Sequence, residues 1–206
     1  VNAITPYWQK LSSITISAQA SGVESEIESV TLHYRYSSNG TTWGNWVPFE
    51  TDTASPWSWT FDFPSGDGYY QFYSFARDKA GNEEDIPTTR DAECGRDSIA
   101  PTSSVNPITP YWDNIPSRTI TASASDSLSG VESVTLYYRY SNDNYNWGTW
   151  RAYGSDTSLP WSWSFIMPSG DGYYEFYSIA QDHAGNTRVA PVTADSRCGL
   201  DKTAPT

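Results

Sequence analysis

The sequence predicts an all-β protein built as two tandem β-sandwiches of about seven strands each. Three observations carry this. The first is a duplication. ITPYW at 4–8 returns at 108–112, PWSW at 56–59 at 160–163, PSGDGYY at 64–70 at 168–174, and CGxD at 94–97 at 198–201, every pair offset by 104. Laid on itself at that offset, the chain keeps 57 of 102 aligned positions. A fixed period marks a repeat architecture. The second is the absence of any sustained helical stripe, against many short period-two runs. The third is composition. Aromatics make up 16 % of 206 residues, enough ring surface to bury in two small cores.

In the second repeat the expected strands are 103–107, 118–125, 132–141, 147–153, 159–166, 172–181 and 187–195, separated by Gly, Pro, Asn, Asp and Ser, the residues that suit turns. Within 132–141, Val134, Leu136, Tyr138 and Tyr140 share one face, and Tyr174, Phe176, Ser178 and Ala180 do so in the strand from 172. In 159–166, Trp161 and Trp163 are two apart and point to one face, while Trp147 and Trp150 fall on or beside a neighbouring strand. Gly-Asp-Gly-Tyr-Tyr ahead of the sixth strand reads as a tyrosine corner, with Tyr70 and Tyr174 as the corner residues. Seven short strands in ~100 residues is the count of an immunoglobulin-like sandwich. The expected domains are 1–101 and 102–206. The chain starts and stops at the same phase of the repeat, so the expectation is an excerpt from a longer array.

Charge and composition exclude several classes. Twenty-four acidic against 12 basic side chains give a net charge of −12, opposite to the basic stripe that nucleic acid requires. No apolar run approaches a membrane span, so no membrane insertion is expected in this segment. Two His and two Cys are too few for the usual zinc ligand sets. His33 and His183 do not occupy equivalent positions, so the module has no repeated general base, and no catalytic residue is expected. Asp67 and Asp171 sit in a tight turn, and Glu28 and Glu132 open a strand; neither pairing suggests a hydrolytic cleft.

The segments SDSLSGVESVTLYYRYS (125–141), DGYYEFYSIAQDHAGN (171–186) and DKTAPT (201–206) resemble the Ig-like or fibronectin-III-like tandem repeats of large bacterial or archaeal extracellular surface proteins. The resemblance covers essentially the whole chain. It implies an extracellular, non-enzymatic module, structural or adhesive, in a cell-surface stalk, coat or filament. The partners would be neighbouring repeats of the same polypeptide or other copies of the chain. The alternative is a carbohydrate-binding accessory module of a secreted enzyme. On that alternative Trp57, Trp59, Trp161 and Trp163 would form an exposed platform; otherwise they are packing residues.

Calcium is the cofactor most compatible with the acidic loops, because it takes six to eight oxygens. Related surface repeats can gather it at a domain junction, which points to Asp97 and its equivalent Asp201, to Asp126 at the head of D-S-L-S-G, and to Asp182 with Asn186 in D-x-A-G-N. The first repeat has Gly22 where the second has Asp126, so a shared site is not expected in both. Asp182 and Asn186 have a second reading, as a pair closing a turn. Cys94 and Cys198 recur one module apart, are not expected to bond to each other, and sit near the end of the last strand. A surface position would suit an intermolecular disulfide, a buried one a small apolar side chain. Asn39-Gly40-Thr41 is a glycosylation sequon on an expected loop tip, unmatched in the second repeat.

Overall fold

The structure, a computed structural model, describes residues 1–205; Thr206, the last residue of the expected second domain, lies outside the described residues. The chain divides into two compact units, Val1–Ser98 and a second beginning at Ile99, three residues before the boundary expected from the repeat. The described residues form strands and no helix.

In the first unit the strands are β1 (Trp8–Gln9), β2 (Ile14–Ser17), β3 (Ile27–Ser37), β4 (Val47–Asp52), β5 (Ser58–Phe61), β6 (Gly68–Asp78) and β7 (Ala92–Arg96). One sheet runs β1-β7-β6-β3-β4 and the other pairs β2 with β5. The second unit contains β8 (Thr102–Val105), β9 (Trp112–Asp113), β10 (Ser117–Ser125), β11 (Val131–Ser141), β12 (Arg151–Asp156), β13 (Ser162–Ile166), β14 (Gly172–Asp182) and β15 (Ser196–Leu200). Its sheets run β12-β11-β14-β15-β9 and β13-β10-β8.

The alternation read from the sequence sets the core. Val134, Leu136, Tyr174, Phe176, Ser178 and Ala180 are buried, and the rings of Tyr138 and Tyr140 pack against them. At the centre of each core a phenylalanine from the second sheet, Phe61 or Phe165, is fully buried and meets its aromatic neighbours edge to face. The tyrosine corners form as expected. Tyr70 donates its hydroxyl to the Gly66 carbonyl (2.7 Å) and Tyr174 to that of Gly170 (2.9 Å), and burial pushes the Tyr174 hydroxyl up to about 12.

Two expectations need correction, and one kind of pairing is new. The last strand, expected over 187–195, is Ser196–Leu200. The residues after the A-G-N turn return instead through a single bridge, Gln181 to Thr187. Strand pairing resumes at Ser196, opposite Phe176, and places Cys198 opposite Tyr174. The fourth strand begins at Arg151, because Trp147–Trp150 form a loop pinned by the Gly148 N–H on the Tyr140 carbonyl (2.9 Å). The short parallel pairings of β1 with β7 and β9 with β15 were not anticipated.

The turns are closed by carboxylates. Asp52 and Asp156 accept from the N–H of Ser58 and Ser162 (3.0 Å each), and Asp143 from those of Asn146 and Tyr145 (2.8 and 2.9 Å). These bonds hold all three carboxyls below their ordinary value of 3.8. With depressed native values, the unfolded chain takes up protons first as pH falls. The stability they confer is therefore present above the unfolded value and lost below it. The denaturant midpoint is expected to drop between roughly pH 5 and pH 2; a midpoint flat over that range would remove the turn carboxylates from the stability of the fold.

Candidate functional site

The tryptophans that the carbohydrate-binding alternative would place in an exposed platform lie inside, as the packing reading has them. Trp57, Trp59, Trp161 and Trp163 are 3–7 % exposed and belong to the two cores. The platform reading is corrected: the face that Trp161 and Trp163 share is the inner face of their sheet, where each ring removes a large apolar area from water.

The outer face of the larger sheet carries the other aromatic set. On β3 and β6 the register places His33 beside Tyr73 and Arg35 beside Gln71. His33 and Tyr73 stack at 4.6 Å, and burial lowers the His33 pKa from 6.5. The Arg35 guanidinium lies over Trp43 and Trp46 (5.3 and 4.6 Å to the ring centroids) and donates to the Gln71 amide oxygen (2.9 and 2.7 Å). The second unit repeats this with Tyr137 on Tyr177, and with Arg139 over Trp147 and Trp150 and paired to Glu175 at 2.6 Å. The duplicated spacing W-G-x-W carried this signal, but the sequence reading did not link those tryptophans to the arginine two residues ahead of Ser37 or Ser141. Each guanidinium is held by two indole faces and a side-chain oxygen, a geometry that fixes the loop on the sheet.

The candidate calcium ligands divide by unit. In the second, Asp126 Oδ2 accepts the N–H groups of Leu128 and Gly130 (2.9 and 2.8 Å), while its buried Oδ1 has no hydrogen-bond partner among the described residues. Asp182 is fully buried, and its two oxygens accept the Asn186 N–H and side-chain amide (2.8 and 2.9 Å). Carboxylate oxygens of Asp126 and Asp182 lie within 4.8 Å of each other. Asn186 therefore closes the turn, as its second reading held. In the first unit, Asp78 takes the place of Asp182; the Asn82 side-chain bond lowers its pKa to about 2, and Gly22 stands where Asp126 would be. Asp97 follows the last strand of the first unit and donates its N–H to the Gln9 carbonyl (2.9 Å); Asp201 does the same to Asp113 (2.9 Å), and its Oδ1 accepts the Thr203 N–H (2.9 Å).

Of the two positions open to the cysteines, the structure shows the buried one. Cys94 and Cys198 are free and fully buried on the inward side of β7 and β15, opposite Tyr70 and Tyr174. Burial pushes the Cys94 thiol up to about 12 and raises that of Cys198. A buried thiol with a raised pKa is a poor nucleophile and cannot reach a second chain, so the intermolecular disulfide is corrected to a core role. Both thiols are expected to resist an aromatic disulfide reagent until denaturant is added. Stoichiometric labelling of the native chain would reverse this assignment.

Asn39 is exposed, and its Oδ1 accepts the N–H groups of Thr41 and Thr42 (3.0 and 2.8 Å). Asp143, the equivalent residue, does the same work, so the sequon falls on a turn-forming position.

A sequence model described as bacterial Ig-like domain matches residues 10–92 and again 113–196. No curated protein matches the chain. Among solved structures, the chain is similar to fibronectin(III)-like modules of Clostridium thermocellum CbhA, at 19 % identity over 94 % of this chain and 87 % of that one, with a TM-score of 0.47. It is also similar to a tetra-tandem repeat in the extending region of a large adhesion protein, at 20 % identity over 93 % of this chain and 45 % of that one, with a TM-score of 0.32. Two family matches, one per compact unit, agree with the duplicated sandwich, and the chain belongs to the bacterial Ig-like domain family.

Proposed function

We propose that this chain is a non-catalytic structural module of an extracellular array, and that its two units serve as spacers in a cell-surface stalk, coat or filament. The observation that carries this reading is what the duplication preserves. The pairs kept at offset 104 include the tyrosine corners, the core tryptophans, the buried cysteines and the arginine cradles, all of them scaffold. The two histidines fall at unequal positions, and the acidic loops differ. Selection on a spacer acts on the scaffold, because folding is the requirement common to every copy. Antibody labelling of intact source cells, with and without external protease, tests the location. Surface signal removed by protease is expected; signal only after lysis would overturn the reading.

The carbohydrate-binding alternative now rests on the outer face, where Trp43, Trp46, Trp147 and Trp150 are half-buried rather than enclosed. Retardation of the chain in polysaccharide-containing gels, lost on W147A, would favour it over the spacer reading.

The proposal extends to calcium in the second unit. Two carboxylates within 4.8 Å repel each other, and Asp126 keeps a buried oxygen without a donor. Ca²⁺ would offset both. Calcium is expected to raise the unfolding temperature of the chain, and Asp126→Asn to abolish that rise. An unfolding temperature unchanged by calcium and chelator removes the claim.

A further inference from the structure

The edge of the smaller sheet is finished differently in the two units. In the second, β13 is the last strand of its sheet and pairs with β10 on one side only. Its other side is covered by side chains of the same unit. The Tyr153 hydroxyl, reaching across from β12, donates to the Ser164 carbonyl (2.5 Å) and accepts the Ile166 N–H (3.3 Å). Asp156 holds the Ser162 N–H (3.0 Å). Occupying outward backbone groups in this way keeps a sheet edge from pairing with another strand.

The first unit has the same ring without the hydroxyl. Phe49 stands where the second unit has Tyr153. Its ring lies 4.8 Å from Phe61 and 6.2 Å from Tyr34, as the Tyr153 ring lies 4.8 Å from Phe165 and 6.3 Å from Tyr138. The Ala18 N–H donates to the Trp57 carbonyl (3.1 Å), so the odd-numbered residues of β5 turn their backbone groups toward β2. Ser58, Thr60 and Asp62 then face outward, and all three are exposed. Asp52 holds the Ser58 N–H (3.0 Å), but no hydrogen bond reaches the Thr60 carbonyl or leaves the Asp62 N–H among the described residues.

The open groups are self-complementary. With an antiparallel copy related by a two-fold axis at Thr60, Thr60 lies opposite Thr60 and Ser58 opposite Asp62. Each Thr60 N–H meets the other Thr60 carbonyl, and each Asp62 N–H the other Ser58 carbonyl. The side chains agree with this register. A Ser58 hydroxyl faces an Asp62 carboxylate, and the two threonines form a cross-strand pair. The second unit has Ile166 at the Asp62 position, so the same register would set Ser162 against an isoleucine.

We propose that the open edge of β5 is a pairing site for β5 of a second copy of this chain, joining the two β2-β5 sheets into one of four strands. The Tyr153 hydroxyl closes the corresponding edge of β13. The site stands on the edge itself and does not depend on the cell-surface reading.

The test is a concentration series of amide NMR spectra and sedimentation equilibrium on the full 206-residue chain. An edge pairing buries far less than ~1,000 Å², so association is expected only toward about millimolar concentration. The Thr60 and Asp62 amides are expected to shift as concentration rises, and those of Ser164 and Ile166 to stay. The mass should approach that of a dimer and not pass it, because a two-fold contact closes on itself. Each chain carries a net charge of −12, so pairing should strengthen as salt screens the repulsion. Phe49→Tyr supplies the hydroxyl that the second unit already carries, and should abolish the concentration-dependent shifts without lowering the unfolding temperature. Thr60→Pro, which removes an outward N–H and no ladder bond, should abolish them too. Thr60 and Asp62 amides that stay fixed up to millimolar concentration, or a Phe49→Tyr chain that associates as the parent does, overturn the proposal.

Discussion

Phe165→Ala is expected to destabilise the second unit by about 3–5 kcal/mol, the range for truncating a fully buried phenylalanine. Phe165 is 0 % exposed and makes edge-to-face or steeply tilted contacts with Tyr138, Tyr153, Tyr174 and Phe176, at centroid distances of 5.1, 4.8, 5.8 and 5.0 Å. Four rings around one site cannot close on the space a benzyl group leaves, because they are anchored on three strands, β11, β12 and β14, and two of them by hydroxyl bonds to backbone. The transfer and cavity costs therefore add. Phe165→Leu, which retains most of the volume, is the control and should lose much less. Chemical denaturation followed by tryptophan fluorescence reads both. A loss below about 1 kcal/mol for the alanine variant would mean the ring cage is able to collapse, contrary to its anchoring.

What the sequence made legible follows from how local each signal is. The duplication and the period-two faces of β3, β6, β11 and β14 were readable because each is a property of neighbouring residues. The tyrosine corner was readable because its partner lies four residues upstream. The buried cysteines were not. The turn-like pair Cys-Gly suggests a surface, and only the tertiary structure shows Gly95 and Gly199 covered by Trp8 and Trp112. A Cβ at either glycine would lie 2.3–2.4 Å from the indole, so the glycine is there to admit the ring. The same covering explains the missed parallel strands β1 and β9, which are two residues long and have no periodicity to read. The arginine cradles failed for a related reason. Arg35 meets Trp43 and Trp46 across a loop whose path is set by one backbone bond, from the Gly44 N–H to the Tyr36 carbonyl (3.0 Å).

The two copies also act as a natural substitution experiment. Gln71 and Glu175 occupy the same cradle position, one neutral and one charged, and each accepts two bonds from its arginine. The cradle therefore requires an acceptor more than it requires a charge. Glu84 and Arg188 differ more sharply. Arg188 ties Asp195 to the Ser178 carbonyl beneath a seated β8, whereas Glu84 reaches a backbone N–H that the strand takes in the other unit. The copies thus differ in charge at Glu84 and Arg188 and keep an acceptor at the cradle.

The turn that leads into β14 gives the second large effect. Gly170 and Gly172 both have positive φ, 77° and 138°, so alanine is strained at either. Their surroundings separate them. A Cβ on Gly170 meets nothing within 4 Å, whereas one on Gly172 would lie 2.8 Å from the Ser141 carbonyl oxygen and 2.7 Å from the Tyr140 ring. That ring cannot move aside freely, because the Tyr140 hydroxyl donates to the Asp171 carbonyl at 2.8 Å, and Ser141 is held in the β11–β14 ladder. Gly170→Ala is therefore expected to cost about 1 kcal/mol, the conformational term alone. Gly172→Ala adds an overpacking cost and should reach about 2–5 kcal/mol, enough to unfold a marginal sandwich near body temperature. Tyr140→Phe in the Gly172→Ala background releases the ring and should recover part of the loss while leaving the Ser141 clash. Equal costs for the two glycine variants would show that backbone strain alone governs this turn and that the Tyr140 contact contributes nothing.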